Sequence, residues 1–331
     1  MPDTAAEVLN VLSNSRRVLV TTHVRPDGDA LGSTAAMVRA MKVKGIAADV
    51  LLLSKLPSKY AFVYVDAGIE SRDVEAGFPA DFSLDPYDTL LVIDTGTWSQ
   101  LPGLKPYVEQ FKGKKLVVDH HLTQEDWADT KHVLPKAAAA GEIVADLIEQ
   151  WGVAFDAPMA SALYVALVAD TGWFQYSNTG PATLRLAARL MEAGVDTDRV
   201  YQLLYQNERP QRLALHARGL NSMELVAGGK VAVMTLDTGD FVAADASVND
   251  TEALINTPLQ IRNVAASVVL SRPPGPGPVR ISFRSKGQID VAAFAQQFGG
   301  GGHARAAGAK LDGSLYEAKA TIIAKLTEAF A

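Results

Sequence analysis

The chain has 331 residues, a formal net charge of -6, a hydrophobic content of 48% and no cysteine. That length suits about two domains with sizeable cores, and the missing cysteine excludes disulfide frameworks, thiolate zinc sites and cysteine nucleophiles, so any metal must be held by His, Asp or Glu. The N-terminal stretch MPDTAAEVLNVLSNSRR has no long apolar core, and nowhere do about 18 apolar residues run without a charge, so neither a signal peptide nor a membrane span is expected and the chain reads as cytoplasmic.

From Ala5 to about Asp170, apolar strand-like runs alternate with helical stretches: VLVTTH, the helical ALGSTAAMVRAMKVKG, then IAADVLLL, TLLVID and KLVVDHH. Continuous apolar strands separated by helices or loops predict a parallel sheet with helices on both faces. The helical segments GEIVADLIEQWG, PMASALYVALVADTG and ATLRLAARLMEAG follow, each closed by glycine, the residue best suited to a helix C-terminus. Residues 1–195 therefore read as an α/β domain.

Residues 196–215, polar and helical and interrupted by Pro210, are expected to link the domains. Beyond them KVAVMTL, AASVVLSR and VRISFRSK read as strands, the last two joined by the loop PPGPGP. A short helix DVAAFAQQFG, the stretch GGGGHARAAGA and a last helix YEAKATIIAKLTEAF complete a smaller α+β domain over residues 216–331. Its charge departs from the chain average, because residues 259–310 carry Arg262, Arg272, Arg280, Arg284, Lys286, Arg305 and Lys310 against Asp290 alone. A local field of that sign suits a phosphate, although charge by itself also fits a solvated strand face.

The acids and histidines of the first domain fall at the carboxyl ends of its strands. His23 follows VLVTT, Asp94 ends TLLVI, Asp119-His120-His121 ends KLVV, and Asp170 ends the helical run ALYVALVA. In open parallel sheets ligands bind outside those strand ends, so these segments are expected to converge. Taken singly, each acid has a local explanation: Asp27 and Asp29 in THVRPDGDALGS suit a helix cap, and Asp94 before TGT suits an Asx turn. Taken jointly, they fit a hydrolytic site for two divalent ions, which clamp a phosphoryl group and activate the attacking water. Oxygen donors with some imidazole suit Mn2+ better than a thiolate-selective metal. The available ligands are His23, Asp27, Asp29, Asp94, His120 and Asp170, one carboxylate being shared, which leaves His121 and Asp119 for the substrate and for support of the ligands.

The ordered set HVRPDGDALGS, VIDTG, VDHH and VADTGWFQYS resembles the DHH phosphoesterase superfamily, whose four motifs are all present. The resemblance implies that His23, Asp27 and Asp94 bind one metal, that Asp29, Asp94, His120 and Asp170 bind the other, and that Asp94 bridges them. It also implies that His121 contacts the phosphate and that Asp119 supports the histidine pair. FGGGGHARAAGA resembles the glycine-rich signature of the DHH-associated domain, where closely approaching backbone N–H groups face an anion. In related proteins the equivalents of Arg284, Ser285, Gly300, Gly301, Gly302 and His303 hold the nucleotide end of the substrate. Arg262, in IRNVA, is added as a phosphate or base contact.

In length and domain order the chain looks most like the nano-RNase and 3′-phosphoadenosine 5′-phosphate (pAp) phosphatase group. That likeness implies a phosphoesterase using two divalent cations, Mn2+ with Mg2+ or Co2+ as alternatives. Its expected substrates are short single-stranded RNA, dinucleotides such as pGpG or pApA, and pAp, with 5′-mononucleotides as products. A cleft between the domains is expected to limit substrate length, and the partner expectations are a homodimer and no membrane. Alternatives are exopolyphosphatase-like activity, cyclic-dinucleotide phosphodiesterase activity and, from another class, a catalytically silent nucleotide-binding regulator. Family II pyrophosphatases share the first domain's motifs but not GGGGH. Trp173 and Gln175 stand where relatives often carry arginine, and Trp173 is expected to pack under the sheet end. His132 and His216 match no motif and are expected at ordinary surface or interdomain positions.

Overall fold

Valine, leucine and isoleucine dominate the central strands of the first half, and all strand pairings there are parallel. The strands are β1 (Arg17–Thr21), β2 (Ala47–Leu52), β3 (Ser71–Asp73), β4 (Thr89–Ile93), β5 (Lys114–Asp119) and β6 (Thr130–Val133), in the order β3-β2-β1-β4-β5-β6. The computed structural model describes residues 4–287 and 289–330, and the chain divides into two units between Asn207 and Glu208.

In the first unit the strand period of two sends alternate residues to two cores. Val18, Val20, Leu91 and Ile93 join one core, and Leu19, Leu90 and Val92 join the other. Burying each such side chain contributes roughly 1.5–3 kcal/mol. The first core is roofed by α1 (Thr4–Ser13), α2 (Gly28–Val43) and α3 (Ala61–Ala67). The short α4 (Lys105–Gln110), with Leu104 and Phe111 beside it, packs on the second core. Returning to the first core are α5 (Ala140–Gln150), α6 (Ala157–Asp170), α7 (Pro181–Glu192) and α8 (Thr197–Tyr205). Helices α2 and α6 cross almost backbone to backbone: a Cβ on Gly32 would lie 2.2 Å from the Ala162 carbonyl oxygen. The start of α2 thereby meets the end of α6, with Gly28 against Ala169.

The segment expected to link the domains is two helices, each packed on its own unit. Val200 and Leu204, spaced i,i+4 on α8, bury in the first unit's core. Pro210 sits in the first turn of α9 (Pro210–Asn221), whose Leu215 is buried in the second unit. The interruption read at Pro210 is thus a helix start, where a missing N–H costs nothing.

The second unit continues with β7 (Glu224–Val226), β8 (Val231–Leu236), α10 (Thr238–Ala244), β9 (Ala266–Ser271), β10 (Val279–Ser285), α11 (Val291–Gln296), β11 (Gly301–His303), β12 (Ala306–Leu311) and α12 (Leu315–Phe330). Its sheet order is β11-β12-β10-β9-β8-β7, parallel only between β8 and β9. β10 alternates strictly: Val279, Ile281, Phe283 and Ser285 are buried, while Arg280, Ser282 and Arg284 are exposed. α11 and α12 cover the buried face through Phe294, Ile322 and Leu326. Leu215, Phe241 and Leu254 cover Met234 and Val269 on the other face.

One histidine lies elsewhere than expected. His132 is buried in β6, its Nδ1 2.8 Å from Thr4 Oγ1, so it ties α1 to the sheet edge. His216 lies within the second unit, its Nε2 2.9 Å from the Asp250 carbonyl oxygen. Among the described residues no helix is long and apolar enough to cross a membrane.

Candidate metal centre

The strand order reverses between β1 and β4, and open α/β sheets bind ligands outside the carboxyl ends at such a point. His23 follows β1, Asp94 follows β4, and Asp119 ends β5, so adjacent strands deliver all three segments to one place. Asp27 caps α2, its Oδ1 accepting the N–H groups of Asp29 and Ala30 at 3.0 and 3.1 Å. Asp29 in the same turn is fully buried; it accepts Ser33 Oγ at 2.9 Å and the N–H groups of Ala140 and Gly141 at 2.6 and 2.9 Å. Asp170 arrives from the C-terminal end of α6.

These side chains form two groups around Asp94. His23 Nε2 lies 3.5 Å from Asp94 Oδ2 and 3.9 Å from Asp27 Oδ1. His120 Nε2 lies 3.5 Å from Asp94 Oδ1, 3.7 Å from Asp29 Oδ2 and 3.3 Å from Asp170 Oδ2. Each oxygen of Asp94 therefore faces a different histidine. Both imidazoles are oriented from behind, since Nδ1 of His23 is 3.0 Å from the Val24 carbonyl oxygen and Nδ1 of His120 is 3.3 Å from that of Ala137. The tautomer with hydrogen on Nδ1, assigned from those acceptors, leaves Nε2 as the ligating atom. Asp94 itself has φ +68°, uncommon for a residue with a side chain, and cradles its N–H on the Val118 carbonyl oxygen at 2.9 Å.

The electrostatics are those of a crowded anionic site. Burial works against charge on His23, but the Asp94 carboxylate outweighs it, and His23 is pushed up to about 9. His120 is pushed up to about 10 against the same desolvation by Asp94, Asp29 and Asp170. Burial, then the charges of Asp94 and Asp27, push Asp170 up to about 6. Burial and the Asp94 and Asp170 charges raise Asp29 as well, whereas Asp94, desolvated but bonded by both histidines, is held below the usual carboxylate range. The cluster thus calls for positive charge between its carboxylates. Asp94 Oδ1 and His120 Nε2 are buried without a hydrogen bond of normal geometry. The ligating atoms of His23, Asp27 and Asp94, and those of Asp29, His120 and Asp170, lie within 4.8 Å of one another in each set. Carboxylate oxygen with imidazole is a donor set for hard or intermediate divalent cations, so these residues fit two of them.

Asp119 is fully buried beside this cluster. Its Oδ1 accepts the N–H groups of His120 and His121 at 2.7 and 3.1 Å and His121 Nδ1 at 2.8 Å. That bond to Asp119 raises the His121 imidazole above its ordinary value, and the ring's far edge is left half-exposed.

In the second unit a polar cleft of about 380 Å³ is lined by Thr251, Glu252, Ser271, Ser282, Arg284 and Gly301, among others. Cross-strand register sets His303, Ala306 and Arg284 in one row, so His303 and Arg284 share a face of the sheet. Gly302 lies one step along β11, and Gly300 precedes that strand with its N–H on the Ala295 carbonyl oxygen. Ser285 falls on the opposite face, because strand neighbours alternate. Its Oγ accepts the N–H groups of Gly287 and Ile289 at 2.9 and 3.4 Å, and so shapes the turn. Arg262 is exposed and is not among the residues lining the cleft.

Comparison with known proteins follows this division. Residues 17–168 match the DHH family, N-terminal domain, and residues 228–331 match the DHHA1 domain. The chain is 30% identical over 309 residues to the bifunctional oligoribonuclease and PAP phosphatase NrnA of Thermus thermophilus, covering 93% of this chain and 87% of that protein. The chain belongs to the DHH family. In fold, this DHH protein matches the exopolyphosphatase-related protein of Bacteroides fragilis with a TM-score of 0.85 at 23% identity, over 100% of this chain and 97% of that one. It matches RecJ of Thermus thermophilus, solved in complex with Mn2+, with a TM-score of 0.52 at 17% identity, over 99% of this chain and 55% of that one.

Several supports of the DHH site are absent from the sequence reading. Ser33, four residues beyond Asp29 on one helix face, was open to detection by its i,i+4 spacing. Gln124 donates to Asp119 Oδ2 at 2.5 Å, and Asn178 donates to the Asp170 carbonyl oxygen at 3.1 Å; both sit in loops with no periodic signal. The amides of Ala140 and Gly141 are backbone groups, which leave no trace in residue type. Trp173 packs not under the sheet but edge-on to Tyr164, Tyr201 and Tyr205, from α6 and α8.

Proposed function

We propose that this DHH protein is a metal-dependent phosphoesterase that hydrolyses short oligoribonucleotides to 5′-mononucleotides and removes the 3′-phosphate of pAp. The observation that carries the reading is Asp94, whose two oxygens face separate histidine-carboxylate groups at 3.5 Å each. Its similarity over nearly the whole chain to the Thermus thermophilus NrnA supports the substrate class. His23, Asp27 and Asp94 would hold one divalent cation and Asp29, Asp94, His120 and Asp170 the other, Mn2+ being favoured by the donor set; together the cations supply Lewis-acid polarisation of the phosphate and activation of water.

The chain's own residues do the rest. Asp119 holds the His121 Nδ1–H and raises that imidazole, so that in its protonated form the other ring nitrogen donates outward to a phosphate oxygen as its charge grows. Ser33 and the amides of Ala140 and Gly141 fix both oxygens of Asp29, so that ligand does not rotate. In the second unit Arg284, unpaired with any acid among the described residues, binds a phosphate or base of the nucleotide together with His303 and the glycines Gly300, Gly301 and Gly302.

The test is a substrate panel with Mn2+: pAp, pGpG, a five-nucleotide RNA, polyphosphate and pyrophosphate. Nucleotide substrates are expected to turn over fastest, and faster turnover of polyphosphate or pyrophosphate would overturn the reading. Asp94→Ala should abolish activity on every substrate, whereas His303→Ala should chiefly raise KM for nucleotides.

A further inference from the structure

Trp173 stands at the centre of an aromatic cluster next to the metal centre. Its ring lies 5.1 Å from Tyr201 at 86° and 5.7 Å from Tyr205 at 79°. It serves as an anchor, since these edge-to-face contacts fix the loop that begins at Asp170. Gly172, Trp173 and Phe174 all have positive φ, at 56°, 60° and 64°. Two side-chain-bearing residues in that region carry a strain that the surrounding contacts must hold. The backbone contacts are tight: the N–H groups of Gln175 and Tyr176 both reach the Thr171 carbonyl oxygen at 2.9 Å.

The consequence is the placement of Tyr176. A Cβ on Gly172 would lie 2.3 Å from Tyr176 Cζ and 2.6 Å from both Cε atoms, so the ring rests on the glycine backbone where no other residue leaves room. Tyr176 is nevertheless 60% exposed; it borders the cluster closely enough to act on the Tyr205 hydroxyl, but among the described residues it stacks on no ring and its own hydroxyl makes no hydrogen bond. A large aromatic face is thus held rigid and open, seated on the residue two beyond Asp170. Bases of single strands stack on such faces irrespective of their hydrogen-bonding edges.

We infer that Tyr176 is a stacking platform for the nucleobase adjoining the phosphate held at the metal centre. This rests on the phosphoesterase reading. It also makes the first unit a reader of nucleosides rather than of phosphate alone, with little preference among bases.

The test compares pAp with ribose 3,5-bisphosphate, which lacks the base. Tyr176→Ala should raise KM for pAp about ten- to hundredfold with kcat within about threefold, leaving ribose bisphosphate kinetics unchanged. Tyr176→Phe should behave as the parent protein, since the free hydroxyl has no role. Equal losses on both substrates, or an unchanged KM for pAp, would overturn the inference. A second readout is independent of turnover: the fluorescence of Tyr176→Trp should be quenched saturably by AMP and not by ribose 5-phosphate. Absence of activity in the parent protein would defeat the phosphoesterase reading, while the quenching result would still decide the platform.

Discussion

Replacing Asp119 separates the support of the metal centre from its ligands. Its carboxylate, with no exposure to solvent, receives His120 N, His121 N and His121 Nδ1 on one oxygen and Gln124 Nε2 on the other. In Asp119→Ala three of these donors lose their acceptor, while Gln124 Nε2 keeps the His121 carbonyl oxygen at 3.1 Å. The His121 ring reaches water, but the two backbone N–H groups lie against the buried position. At about 1–3 kcal/mol for each unsatisfied donor, those two alone cost about 2–6 kcal/mol. Asp119→Asn keeps an oxygen for the histidine pair and loses only the charge assistance, a deficit of about 1–2 kcal/mol. Its new amide would face the Gln124 amide donor, and a flip of Gln124 relieves that clash by presenting Oε1, which is buried without a partner. Thermal unfolding in EDTA measures both variants without metal; at about 2–4 °C per kcal/mol for a unit of this size, alanine should melt clearly lower than asparagine. With Mn2+ restored, Asp119→Ala should lose about ten- to hundredfold in metal affinity or kcat, because His120 and His121 are no longer oriented, and Asp119→Asn should lose less. If Asp119→Ala melts with the parent protein and binds Mn2+ equally well, the supporting role assigned to this carboxylate is wrong.

Asp156 gives a pH test away from the metal centre. It accepts Arg39 Nε on both oxygens, at 2.7 and 2.8 Å, and the Met159 N–H at 3.0 Å, and despite its desolvation these bonds hold it below the usual carboxylate range. A depressed folded value means stability that is present above the unfolded value of about 3.9 and lost as pH falls through the folded one. The gap in urea midpoint between the parent protein and Asp156→Asn should therefore be constant from pH 7 to about 5 and shrink below about pH 4; a gap that widens on acidification would contradict the assignment. Arg284→Gln should weaken nucleotide binding and flatten its dependence on salt by about one phosphate contact. Fluorescence anisotropy of a labelled five-nucleotide RNA across a salt series reads this, and an unchanged slope would remove Arg284 from the interface.

The first unit was legible because its signals are side chains in short, strongly patterned runs. VLVT, TLLVI and KLVVD could only be buried strands, and a polar residue at the end of each falls at the carboxyl edge of one sheet. The second unit's hairpin was not legible, since GGGGHARAAGA offers no alternation of apolar and polar side chains; backbone pairing alone makes Gly301–His303 and Ala306–Leu311 strands. Ser285 shows the limit from the other side. Its neighbour Arg284 carries the same local signal, but strand alternation turns one toward solvent and the other into the fold. Nor could residue type reveal the positive φ of Asp94, which depends on where β4 ends against β5.

The turn THVRPDGDALGS joins the two levels. The modest reading of Asp27 as a helix cap holds, with both of its acceptor bonds in place. Capping is what positions it to serve as a ligand: those bonds fix the carboxylate at the mouth of α2, within 3.9 Å of His23 Nε2. Asp29, two residues on, is already inside the helix, so its side chain leaves in another direction. It meets the first amides of α5 and lies 3.7 Å from His120 Nε2. Two carboxylates from one turn thus serve different histidines because one precedes the helix and the other belongs to it. A substitution that moved the start of α2 by one residue would disturb both groups at once, although it touched neither aspartate.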